Sequence, residues 1–195
     1  GYISGKLLQD HVVKAEILLH GSFATTGIGH GTDKALIAGL LGMRPDDIRI
    51  PDSFFLAKKD GMEFSFSTIT LKDAHPNTAV LRLTGEHGRK IEVQAASIGG
   101  GRILIAKLDG IEVNFSAEKP TLIVHNVDQP GHVAQVTSML AEKQVNIATL
   151  QLYRDKRGGY AVMVIETDQE VPEESVAWLE QLDGIIKVTY INVEE

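Results

Sequence analysis

Residues 21–35, Gly-Ser-Phe-Ala-Thr-Thr-Gly-Ile-Gly-His-Gly-Thr-Asp-Lys-Ala, gather the side chains of this chain best suited to chemistry. His30 is an imidazole able to move a proton near neutral pH, and Ser22, Thr25, Thr26 and Thr32 offer hydroxyl groups that orient a polar ligand. Gly27, Gly29 and Gly31 can take positive φ and let a ligand approach the backbone, and two of them flank His30 with no side chain. Before the segment, residues 12–19 are apolar with a β-branched start and read as a largely buried strand. After it, residues 35–42 read as a short apolar helix closed by glycine, with Thr32 or Asp33 as N-cap. A loop between a strand's C-terminal end and a helix N-terminus favours a carboxylate or phosphate. Alternating glycines also make a plain tight connection, in which His30 would be solvated or would cap the helix. The spacing Gly27-x-Gly29-x-Gly31 does not fit a dinucleotide fingerprint, and no alternation of strand and helix follows it.

The elements that must hold this loop belong to a chain of 195 residues with 43% hydrophobic content, enough for one large or two small cores. A net charge of -7 without a basic run argues against nucleic acid or an anionic membrane as partner. No apolar stretch approaches the roughly 20 residues of a membrane span, and no signal peptide is visible, so a cytoplasmic protein is expected. The chain has no cysteine, which excludes disulfides, a cysteine nucleophile and thiolate metal ligands. It opens on Gly1, and its first residues are read as running directly into the first strand.

The fold class expected is α+β. One or two early helices precede an antiparallel sheet built from residues 64–71, 78–83, 90–95, 102–108 and 111–115, with hairpin turns at Glu86-His87-Gly88 and Asp109-Gly110. The polar stretch 116–120, ending in Pro120, is the linker, which places domains at 1–118 and 119–195. Beyond it, residues 122–126, 131–143, 146–154, 160–167, 172–182 and 185–193 form a ferredoxin-like β-α-β-β-α-β unit. Its first helix should bury Val133, Val136, Met139 and Leu140, and its second Val176 with Trp178 or Leu179.

Two further motifs carry polar groups into turns. Asp73-Ala74-His75-Pro76-Asn77-Thr78 sets a second histidine beside a stiffening proline, where a solvated turn histidine is the plainer reading. Ser97-Ile98-Gly99-Gly100-Gly101 joins two strands through three glycines, as an anion nest or as a bulged corner. His11, His20, His87 and His125 have no companions in the sequence, and no chemistry is assigned to them.

Together, the 21–35 segment, His75-Pro-Asn-Thr and Ser97-Ile-Gly-Gly-Gly resemble, in order, the β subunit of bacterial iron-sulfur-dependent L-serine dehydratases. The resemblance covers nearly the whole chain, as an allosteric-substrate-binding type domain followed by an ACT domain. The first of these is shared with some D-3-phosphoglycerate dehydrogenases, so the fold does not settle the function. The resemblance implies a lyase that converts L-serine to pyruvate and ammonia. A [4Fe-4S] cluster acts as Lewis acid on the serine hydroxyl while a base removes the Cα proton. Such clusters are held by cysteine thiolates, so the resemblance implies a separate cluster-bearing α subunit. It also implies His30, then His75, as the catalytic groups. Ser22, Thr25, Thr26, Gly27, Gly29, Ser97, Gly99 and Gly100 would bind substrate, and no residue of this chain would bind metal. The family pattern opens with a Ser-Ser-Ser-His-Thr type motif that would precede the strand at Val12. Its absence predicts a partial subunit, inactive by itself.

His125-Asn126-Val127-Asp128-Gln129-Pro130-Gly131 resembles the ligand loop of ACT domains that bind amino acids, which implies effector contacts from Asn126, Asp128 and Gly131. Serine-sensing relatives carry a pattern closer to His-x-Asn-Arg-Pro-Gly, so the effector is left open. ACT domains commonly pair side by side, which implies a homodimer. The alternative function is a non-catalytic regulatory module that binds an amino acid, as in the dehydrogenase relatives.

Overall fold

A computed structural model describes residues 1–27 and 29–193, and the chain divides into two compact units, 1–110 and 111–195. The first unit opens on a helix, α1 (Tyr2–Leu8), where the sequence reading expects direct passage into a strand. Ile3, Leu7 and Leu8 recur at helical spacing and are buried, and left-handed Gln9 stops the helix. Strand β1 (Val12–Leu19) buries Val12, Ala15, Ile17 and Leu19. Lys14 and Glu16 lie on its other face and pair at 3.3 Å, so the strand is buried on one side only.

Three α-helices and a 3-10 turn follow: α2 (Ser22–Thr26), α3 (Thr32–Leu40), the turn Ile50–Asp52 and α4 (Ser53–Lys59). They return the chain to the start of the sheet, so that β2 (Glu63–Thr68) pairs with β1 in parallel. Strands β3 (Thr78–Gly85), β4 (Lys90–Gly99) and β5 (Arg102–Leu108) then pair antiparallel, in the order β2-β1-β3-β4-β5. The sheet is therefore mixed and not antiparallel throughout, because the helical crossover before β2 is long enough for a parallel return. Leu7, Leu8, Ile17, Ile37, Leu81, Leu83, Ile105 and Leu108 are fully buried in this unit.

At the end of the sheet where β1 begins, Asp10 bonds to both the ring and the backbone N–H of His87. This ties the end of α1 to the β3–β4 hairpin. His11 likewise pairs with Asp60 at 3.1 Å, so neither histidine is without a companion.

The second unit begins with β6 (Ile111–Phe115) and includes the segment 116–120. It continues as β7 (Thr121–Val127), α5 (His132–Glu142), β8 (Ile147–Arg154), β9 (Tyr160–Thr167), α6 (Glu173–Glu180) and β10 (Ile185–Ile191). The order β10-β7-β9-β8, with every pair antiparallel, is the ferredoxin-like arrangement expected. Leu122, Val124, Val136, Leu140, Met163, Ile165, Leu179 and Val188 form its core between sheet and helices. On α5 the buried stripe is His132, Val136, Met139 and Leu140, and Val133 turns to the rim at 38% exposure. On α6 Leu179 is buried and Trp178 is not.

Candidate functional site

Strands β1, β3 and β4 are neighbours, and their register brings the three polar motifs to one end of the sheet. Leu19 at the end of β1 faces Ala79 near the start of β3, and Thr78 faces Ala96 near the end of β4. The backbone links the motifs directly: Ser22 N–H donates to the Pro76 carbonyl at 2.8 Å, and Ser97 N–H donates to the Asn77 carbonyl at 2.9 Å. Gly21 sits at φ 55, ψ -125, and a Cβ there would lie 2.5 Å from the Pro76 oxygen. Glycine is required at this point by both the backbone angle and the close approach. The His75 turn is thus seated between the 21–35 segment and Ser97.

Within that segment the structure corrects several expectations. Residues 22–26 form a helical turn and not an open loop. The Thr26 hydroxyl donates to the Ser22 carbonyl at 3.0 Å, and the Thr25 hydroxyl to the Ser22 and Gly21 carbonyls at 3.3 and 3.4 Å. This occupies their protons and leaves their lone pairs as acceptors. Gly27 is right-handed at φ -58, and its N–H donates to Phe23. The N–H groups of His30 and Thr32 fold back onto Thr26 and Gly27 carbonyls. These amides are not donors for an anion. Of the three glycines, Gly31 has the expected left-handed conformation, at φ 74, and it, not Thr32 or Asp33, is the N-cap of α3.

Gly29 and His30 are exposed. His75 is exposed too, and its Nδ1 accepts the Asn77 N–H at 3.1 Å. In the neutral ring this leaves the proton on Nε2, as a donor. The Thr78 hydroxyl donates to the His75 carbonyl at 2.6 Å and fixes the turn from below. Ser97 and Gly99 extend β4, and Gly99, Gly100 and Gly101 run left-handed at φ 90, 63 and 76. Among the described residues no hydrogen bond or ion pair joins His30 to His75.

In the second unit, Asn126 is buried and donates to the Val127 carbonyl at 2.7 Å. Its Oδ1 is buried without a partner, as is Nε2 of His132 on the first turn of α5, a residue that sequence reading passed over. The Asp128 carboxylate accepts from Gly158 N–H at 2.9 Å and Arg154 Nη1 at 3.1 Å. These two partners, Gly158 foremost, hold its carboxyl below the usual range. Gly131 at φ 108 is the N-cap of α5. His125, to which sequence reading assigned nothing, is 1% exposed and hydrogen-bonded to the Tyr160 hydroxyl. Burial, with the nearby Lys187 charge second, pushes its pKa down to about 4.

The chain has no cysteine, and among the described residues no group of three His, Asp or Glu side chains could hold a metal ion. The donor set does not fit an iron-sulfur cluster. Among the described residues no helix is long and apolar enough to cross a membrane.

Comparison with known proteins gives the family. The family described as serine dehydratase beta chain matches residues 3–59, and the ACT domain family matches residues 120–184. An L-serine dehydratase beta chain of Peptoniphilus asaccharolyticus is 33% identical over 98% of this chain and 86% of its own length. A probable L-serine dehydratase beta chain of Bacillus subtilis is 37% identical over the same shares. A D-3-phosphoglycerate dehydrogenase of Methanocaldococcus jannaschii is 27% identical over 99% of this chain but 36% of its own length. On these likenesses, with the three motifs followed in the chain by an ACT domain, the chain belongs to the L-serine dehydratase beta-chain family.

Proposed function

We propose that the chain is the β subunit of an iron-sulfur-dependent L-serine dehydratase that forms pyruvate and ammonia from L-serine. The observation that carries this reading is the seating of the His75 turn between the 21–35 segment and Ser97, which puts two exposed imidazoles and several hydroxyls at one sheet end. The [4Fe-4S] cluster does not fit this chain, so its ligands belong to a partner α subunit, which makes the active site shared.

In this reading His30 accepts the Cα proton of L-serine, since among the described residues no hydrogen bond occupies either nitrogen of its ring. His75, with Nδ1 taken by Asn77, presents an Nε2–H suited to hold the substrate carboxylate. Ser22, Thr25 and Thr26 accept hydrogen bonds from the substrate ammonium, and Gly29, Gly99 and Gly100 leave room for its approach. After the proton and the hydroxyl are lost, the aminoacrylate isomerises to an imine and hydrolyses. Substrate orientation and proton transfer are therefore this chain's share of catalysis.

The functional halves we assign are 1–118 and 119–195, in a soluble cytoplasmic protein. In the ACT domain the partnerless Asn126 and His132 atoms support a polar effector at the loop 126–132. A ligand amine would compete with Arg154 for Asp128. Dimerisation through this domain accompanies the reading. The alternative, a regulatory module without chemistry, draws on the dehydrogenase likeness across 99% of this chain.

The test is anaerobic co-expression with the α chain, co-purification and assay of pyruvate from L-serine. The expected result is a brown complex whose kcat falls on the order of 100-fold or more in His30→Ala with little change in KM. A complex with unaltered turnover in His30→Ala removes the residue assignment. Absence of a complex, with an amino acid still bound by this chain alone, turns the reading to the regulatory module.

A further inference from the structure

The connection between β2 and β3, residues 69–77, has no regular structure, yet it delivers His75 to the site. Its far end is held firmly: Ser22 N–H bonds to Pro76, His20 N–H to the Thr78 carbonyl at 2.9 Å, and the Thr78 hydroxyl to His75. Its near end is held by β1. Ile69 N–H donates to the Leu19 carbonyl at 3.0 Å, and Leu71 N–H donates to Nδ1 of His20 at 3.2 Å. The same nitrogen lies 3.3 Å from the Ile69 carbonyl. His20 is half-buried, and its ring is the side chain that clamps the connection from β1. Its main chain and its side chain thus grip the two ends of the segment that carries His75, leaving residues 72–74 as the unclamped stretch. Asp73, inside that stretch, is left-handed at φ 56, a turn conformation that aspartate tolerates.

We infer that His20 is a positioning residue for His75, acting through the Leu71 amide. The inference rests on the dehydratase reading for its consequence in turnover, but the clamp itself is readable without substrate. A shift of about 1 Å in a positioned group costs on the order of 100-fold in rate, so loss of this anchor is felt at the site.

Three variants separate the roles of the ring. His20→Asn sets a carbonyl oxygen near the Nδ1 position, His20→Gln sets one near Nε2, and His20→Phe keeps volume without an acceptor. Amide hydrogen exchange of residues 70–75 and turnover of the αβ complex are measured for each. The expected result is faster exchange and a kcat/KM lower by about tenfold or more in His20→Phe and His20→Gln, with His20→Asn within about threefold of wild type. If His20→Phe does not fold, the Asn and Gln pair makes the same distinction. Wild-type exchange in His20→Gln overturns the clamp, and faster exchange with unchanged turnover overturns the positioning role. A wild-type complex that forms no pyruvate overturns the dehydratase reading instead, and the exchange comparison still decides the clamp.

Discussion

Acid should weaken the ACT domain through His125. The ring is 1% exposed, is hydrogen-bonded to Tyr160 and keeps its neutral form down to a pKa of about 4, because burial and Lys187 both oppose the charge. In the unfolded chain the same ring titrates near its ordinary value of about 6.5. Above that value both states are neutral and nothing is lost. As pH falls from about 6.5 toward 4 the unfolded state takes up a proton that the folded state refuses, so stability drops across that window. Two pKa values about 2.5 units apart cost about 2 kcal/mol between pH 7 and pH 5, and about 3 kcal/mol by pH 4. The assay is urea unfolding of wild type and of the double variant His125→Leu/Tyr160→Phe at pH 7, 6 and 5. The pairing of substitutions removes both sides of the His125–Tyr160 hydrogen bond together. Carboxylates titrate alike in both proteins and cancel in the difference. Wild type should lose about 2 kcal/mol more than the variant between pH 7 and 5. Parallel pH curves would refute the reasoning.

Two further outcomes follow from the geometry. Gly21→Ala forces a Cβ to within 2.5 Å of the Pro76 oxygen at a φ of 55. Unfolding free energy should fall by about 1–3 kcal/mol, and turnover should fall with it because Pro76 must move; unchanged stability by denaturant titration would show that the turn is not seated as described. The His87 ring, whose pKa Asp10 raises and which in turn lowers that of Asp10, should titrate above an ordinary histidine by NMR. Asp10→Asn should bring it back. The pair's contribution is present between the two shifted values, is lost as pH rises through that of His87, and is lost as it falls through that of Asp10. An unmoved His87 midpoint in Asp10→Asn would remove this link.

The strands and helices of the ACT half were legible because their apolar residues recur at periods of 2 and 3.6, and that signal is local. The same logic failed at the first residues, where a seven-residue helix carries its apolar side chains on too few turns to show a period. It failed again at β2, since parallel or antiparallel pairing depends on the route of the crossover and not on the strand's own residues. Helix faces were read to within one position: Val133 and His132 are both at compatible spacing, and packing against the sheet chose His132.

By itself the sequence determined the three glycine- and histidine-bearing motifs, the lack of any thiolate ligand and the two-part organisation, because these depend on residue type and spacing alone. Tertiary structure decided which groups are free to act. The hydroxyls of Thr25 and Thr26, the amide of Gly27 and Nδ1 of His75 are all engaged within the chain, while His20, His87 and His125 have partners 49, 77 and 35 positions away. A hydrogen bond or a shifted pKa is set by distance and burial in space, and neither quantity is written in the order of the residues.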